Sequence, residues 1–173
     1  MSMLTILQFP DPRLRLKAEE VAVVDASVQK MVDDMIETMH NTPNTAGLAA
    51  IQLDIQKRIV VMDLSADKSE PWVFINPVLS SPSEETSVEV EGCLSVELAE
   101  FHAPVRRPMA IQVDALDRNG EPFSWQCDGF LARCIQHEVD HLNGVLFVDY
   151  LPSIKRERLK KAIEKKKRSQ KKK

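Results

Sequence analysis

Residues 137–141 read His-Glu-Val-Asp-His, two imidazoles four positions apart with a carboxylate between them. On a helix, side chains at that spacing sit one above the other, roughly 5–6 Å apart at Cβ, so both rings can reach one metal ion. Glu138 lies about 100° round the axis from His137, close enough to act on a metal-bound water without ligating the metal. A site that keeps one position open for water needs a third protein ligand. The candidates are His40, His102, Cys93, Cys127, Cys134 and the carboxylates. Cys134 shares the helix face, but about 10.5 Å of axis separates it from His141. Bonds near ~2.3 Å for sulfur and ~2.1 Å for nitrogen do not easily bring both to one ion. A cysteine from another segment fits better, and Cys93 lies in Glu91-Gly92-Cys93-Leu94-Ser95. There Gly92 lets the backbone turn and approach closely, and Leu94 presents an N–H beside the ligand. Cys127 and Cys134 read as small buried hydrophobes. Asp140 either orients an imidazole or is solvated.

These groups need a scaffold. Asp11-Pro12 begins a short turn or helix through Leu14 and Leu16. Val28, Met31, Met35 and Met39 recur at helical spacing, with Asp25 or Ser27 as cap and Asn41-Thr42-Pro43 as the stop. Arg58 to Leu64 is expected as a β-branched strand, and Trp72 to Ile75 as another ending at Asn76-Pro77. Val88 and Val90 alternate with Glu89 and Glu91, the pattern of a strand with one wet face. Ile111, Val113 and Ala115 alternate likewise, and Asn119-Gly120 marks a hairpin into Phe123 to Cys127. Phe130 to Leu142 is expected as the helix that carries the chemistry, with Asp128 as N-cap and Gly144 just past its end. Phe147 to Leu151 reads as a short strand or extended piece. Pro152 can start a last helix edged by Ile154, Leu159 and Ile163. The fold class is α+β: antiparallel strands packed around a central helix, with an N-terminal helix and a basic C-terminal one.

The chain has 173 residues, of which 43% are hydrophobic and 28% charged. Five Gly, ten Pro and ordinary apolar content exclude collagen-like and disordered classes. Apolar runs such as Ile59 to Met62 are far too short to span a bilayer. No secretion signal is visible, and three cysteines in no framework spacing favour reduced thiols, so a cytoplasmic location is expected. The net charge of -3 hides an asymmetry. Lys155 to Lys173 holds 12 basic and 2 acidic residues, whereas the rest holds 11 basic and 24 acidic. The expected division is a catalytic region over 1–151 and a basic helix or tail over 152–173, the latter with a polyanionic partner or simply solvated.

Three segments together resemble the peptide deformylase family. They are Gly47-Leu48-Ala49-Ala50-Ile51-Gln52, Glu91-Gly92-Cys93-Leu94-Ser95, and Gln136-His137-Glu138-Val139-Asp140-His141-Leu142 with Gly144. The likeness runs from Ile6 to Tyr150. It implies that Cys93, His137 and His141 bind one divalent ion, with water completing a tetrahedral site. That ion is ferrous iron in most bacterial members, and zinc, nickel or cobalt are able to substitute. Glu138 would take a proton as water attacks the formyl carbon, then deliver it to the leaving amine. Gln52 and the Leu94 N–H would stabilise the oxyanion, and Gly47 would help to bind the peptide backbone. The substrate would be the N-formyl-methionyl end of a nascent polypeptide, and the basic helix would dock on ribosomal RNA. A monomer is expected, with no membrane partner. The residues agree chemically: one thiolate and two neutral imidazoles leave a divalent site with net charge +1.

Departures from the family pattern cluster at the pocket. Thr45 stands where a glycine is usual, and Thr accepts positive φ poorly. Arg133 and Glu89 replace apolar wall residues, and are expected to approach within about 6 Å of each other at the pocket edge. Glu97 and Glu100 replace a usual Pro and Arg. Two rival functions remain. A metalloprotease would take its third ligand downstream, where Asp149 is a candidate but no His or Cys follows His141. An RNA-binding protein with a closed structural metal would need a fourth ligand such as Cys134 or His102.

Overall fold

The computed structural model describes residues 3–99 and 101–170; Glu100 and the terminal lysines 171–173 of the basic tail lie outside them. After a 3-10 turn at Pro12–Arg15 comes α1 (Ala26–Asn41), capped by Asp25, whose carboxylate accepts from the Ser27 and Val28 amides. The strands follow as β1 (Gly47–Ala49), β2 (Ile59–Met62), β3 (Trp72–Ser80), β4 (Thr86–Glu91), β5 (Ala103–Pro108), β6 (Ala110–Leu116) and β7 (Pro122–Asp128). Then come α2 (Gly129–Leu142), a 3-10 turn at Phe147–Tyr150, and α3 (Ser153–Gln170). A five-stranded antiparallel sheet runs β1-β2-β3-β6-β7, and β4 pairs with β5 in a separate ribbon. The fold is α+β, as the sequence pattern requires.

The large sheet has a helix on each face. Val28, Val32, Met35 and Met39 of α1 pack on Leu48, Val61 and Ile75. On the other face, Ala132, Ile135, Val139 and Leu142 of α2 follow a 3-4-3 spacing and pack on Val60, Met62, Phe74 and Val113. The helix-terminating Gly144 takes φ 74°, and a Cβ there would lie 2.5 Å from the Arg15 carbonyl oxygen. This stripe leaves Arg133, His137 and Asp140 on an adjacent face of α2, turned toward the β4–β5 ribbon.

Three expectations need correction. The strand expected to stop at Asn76-Pro77 continues to Ser80. Asn76 takes φ 53° and its side chain bonds both backbone groups of Val21, so the register shifts there and the ladder resumes at Val78. Phe147–Tyr150 is a 3-10 turn rather than a strand, closed by Asp149 accepting from the Leu146 amide. In β4 the alternation does not separate a wet face from a dry one: Val88, Glu89 and Val90 are all exposed, while Glu91 is buried. The physical reason is that cations on β5 and α2 surround the Glu91 carboxylate, and a charge so paired can be buried.

A Cys–His–His centre in a walled cavity

Two residues beyond β4, Cys93 meets α2. Its Sγ lies 3.3 Å from His141 Nε2, and the ligand atoms of Cys93, His137 and His141 all fall within 4.8 Å of one another. A tetrahedral ion with bonds of ~2.3 Å to sulfur and ~2.1 Å to nitrogen holds those two atoms about 3.6 Å apart, so the donors are spaced for one. The His137 Nδ1 lies 3.0 Å from Glu91 Oε2. A carboxylate only accepts, so Nδ1 carries a proton and Nε2 is the nitrogen left for a metal. Burial opposes charge on both imidazoles. In His141 it prevails and the pKa falls well below its ordinary value. In His137 the contacts to Cys93 and Glu91 outweigh burial and the pKa rises well above it. A metal binding at Nε2 must therefore displace a proton.

Of the other candidate ligands, His102 lines the same cavity against Gly92 but does not join the cluster of three, and the rest are held in other contacts. His40 bonds Asp63 at 2.9 Å. Asp149 accepts from Arg15 and from the Leu146 amide. Burial pushes the Cys134 thiol up to about 12 and raises Cys127 also, so both stay protonated. Among the described residues no fourth donor joins the three, which leaves a position open to water or substrate.

Around this centre is a cavity of about 520 Å³. Gln52 is buried in a 3-10 turn after β1; its Oε1 accepts from the Ala49 amide, while its Nε2 lies 3.1 Å from Ser95 Oγ and 3.7 Å from Cys93 Sγ. One amide hydrogen thus faces the thiolate side of the cavity. Leu94 lines the same cavity, its carbonyl accepting from Gln8 Nε2. Glu138 is buried, and burial pushes its carboxyl up to about 7. Among the described residues its Oε2 has no hydrogen-bond partner. Gly47 leaves the room that Glu138 occupies: a Cβ there would fall 2.9 Å from Glu138 Oε1. In the loop before it, the left-handed conformation falls on Asn44 rather than Thr45, whose hydroxyl donates to Thr42 and Pro43 carbonyls.

Arg133 and Glu89 meet at the wall, with Nε 3.5 Å from Oε2. The stronger partner of Arg133 is Glu91, at 2.6 Å. Glu91 also accepts twice from Arg107, which in turn bonds Asp140. Burial works to raise the Glu91 carboxyl, but His137 and Arg107 outweigh it and hold it at about 2. Asp140 reaches Arg107 and Tyr150, so the carboxylate that orients an imidazole is Glu91 instead. Sequence reading missed Glu91 and Arg107 in these roles. The one available signal was the position of Glu91 two residues before Cys93.

A family model described as polypeptide deformylase matches residues 3–157. A peptide deformylase of Pseudomonas aeruginosa is 55% identical over 170 residues, covering 98% of this chain and 99% of that protein. One from Azotobacter vinelandii is 53% identical over 95% of this chain and 96% of its own length. The crystal structure of a peptide deformylase from Ehrlichia chaffeensis superposes with a TM-score of 0.90 at 41% identity, covering 98% of this chain and 99% of that one.

Proposed function

The chain belongs to the polypeptide deformylase family, enzymes that remove the formyl group from N-formyl peptides, and on that premise we propose how its residues divide the work. Cys93, His137 and His141 hold one divalent ion, ferrous iron in the cell, with zinc, nickel or cobalt as substitutes. The observation that carries this reading is the clustering of one sulfur and two imidazole nitrogens within 4.8 Å at a cavity wall. An ion bound there supplies Lewis acidity, which activates water and polarises a carbonyl. Glu138, buried and with a carboxyl near neutrality, takes the proton from the attacking water and passes it to the departing amine nitrogen. The formyl C–N bond breaks, and the products are formate and a free N-terminus. Gln52 Nε2 and the Leu94 N–H donate to the developing oxyanion. Gly47 admits the peptide backbone, and Glu89 with Arg133 forms part of the pocket wall.

The physiological substrate is the formyl-methionyl end of nascent chains, met in the cytoplasm at the ribosome. The basic helix supports this: Lys155, Arg158, Lys160, Lys161, Lys165 and Lys166 on α3 are exposed and can neutralise RNA phosphates. The division into a catalytic region over 1–151 and a basic helix over 152–173 belongs to the same proposal, as does a monomeric chain. Among the described residues, no helix is long and apolar enough to cross a membrane.

Formate release from a formyl-Met tripeptide tests the reading, using protein stripped of metal and reloaded without oxygen. Reloading with ferrous iron should restore turnover that the stripped protein lacks. Equal turnover before and after loading would contradict the metal role. No release with any formyl peptide and any of the four ions would contradict the activity.

A further inference from the structure

We propose that Arg133 is a positioning residue for the His137 imidazole, acting through the Glu91 carboxylate; this rests on the metal-site reading above. Arg133 faces the substrate cavity, yet it is only 5% exposed and its donors are spent inside the wall. Nη1 donates to Glu91 Oε1 and to the Val105 carbonyl, at 2.6 and 3.1 Å. Nη2 donates to the Ser87 carbonyl and hydroxyl, at 3.1 and 2.9 Å, and Nε faces Glu89. Both Nη groups are therefore occupied before any substrate arrives.

What this side chain joins matters more than what it touches. Ser87 and Glu91 belong to β4, whose end leads two residues on to Cys93, and Val105 belongs to β5. Arg133 stands one turn before His137 on α2. The guanidinium thus fixes the helix that carries one ligand against the ribbon that delivers another. Glu91 completes the link, because its Oε1 accepts the hydrogen bond from Arg133 and its Oε2 faces His137 Nδ1. Arg107 also grips this carboxylate from β5 and reaches α2 at Asp140, beyond His137, whereas Arg133 ties the ribbon to the turn of α2 before His137. Carboxylates that orient ligating imidazoles typically contribute tenfold to a hundredfold in metal affinity or activity.

The test reads loss of the bound divalent ion to a chelator, in the full chain without substrate, for Arg133→Met, Glu91→Gln and the pair together. Arg133→Met should lose metal about tenfold or more faster than the parent. Combined with Glu91→Gln, the loss should be little worse than in the faster single variant, because both act through one contact. Its kcat for a formyl-Met peptide should fall while KM changes little. Arg133→Lys, which keeps the charge but loses the fork, should fall between Arg133→Met and the parent, and it carries the test should Arg133→Met fail to fold. Metal loss within twofold of the parent together with a raised KM would overturn the proposal and make Arg133 a substrate contact. Multiplying losses in the pair would overturn it too. A parent chain that holds no divalent ion would overturn it along with the metal-site reading. Should the parent hold an ion but release no formate, the activity fails alone, and metal retention still decides the role of Arg133.

Discussion

At the scale of single residues, the centre depends on which small and polar side chains stand next to charge. Gly47 is the sharpest case, since a methyl group there would press on the Glu138 carboxylate at 2.9 Å. Gly47→Ala should therefore cut kcat/KM for a formyl-Met peptide by about tenfold to a hundredfold while leaving the melting temperature nearly unchanged. An unaffected rate would show that Glu138 need not hold its present place. Gln52 presents one amide hydrogen to the cavity, so Gln52→Leu should lower kcat by about a hundredfold or more. A KM effect alone would assign it to ground-state binding. That His137 and His141 come together beside Glu138 was legible in the sequence because helix geometry fixes what residues four apart can share. Glu91 and Arg107 in their roles were not, because no local pattern says that a strand carboxylate is buried or which arginines meet it.

At the scale of elements, register and helix faces place the site. The 3-4-3 stripe of α2 and the alternation in β6 were readable, since each depends on a period within one segment. The burial of Glu91 in β4 was hidden, because it is set by arginines from α2 and β5. Likewise, the continuation of β3 past Pro77 depends on Asn76 bonding Val21, 55 residues away. One tertiary tie also yields a pH prediction. Asp63, just past β2, joins the end of α1 through His40 and holds Ser65 by amide and hydroxyl. Burial works to raise its carboxyl, but the Ser65 donors and His40 outweigh burial and hold it below the ordinary carboxylate range. A depressed folded pKa gives stability that is present above the unfolded value near ~4 and lost as pH falls below it. In urea unfolding, the parent should exceed Asp63→Asn at pH 6, and the gap should shrink as pH drops through 4. A gap that stays constant with pH would contradict this assignment.

At the scale of the whole molecule, an acidic body carries a basic helix. That helix is packed as well as charged: Leu159 and Ile163 are buried in one cluster with Leu7, Phe9 and Phe147. Deleting α3 would open this cluster, so ribosome binding is better tested by charge alone. Changing Lys160, Lys161, Lys165 and Lys166 to Gln should weaken binding at low salt and flatten its salt dependence, by about 0.7–0.9 in slope for each phosphate no longer neutralised. Unchanged affinity would favour a merely solvated helix. The charge asymmetry was plain in the composition, whereas the burial of Leu159 and Ile163 depends on the N-terminal segment folding across the chain. All these scales meet in one claim, that Glu138 moves the proton at a metal site built by Cys93, His137 and His141. The most direct measurement is formate release beside bound-metal content, for the iron-loaded parent and for Glu138→Ala. The account predicts about one ion per chain in both proteins, with release in the variant lower by a factor of about 10²–10⁴. A variant that keeps its metal and turns over at the parent rate would contradict it.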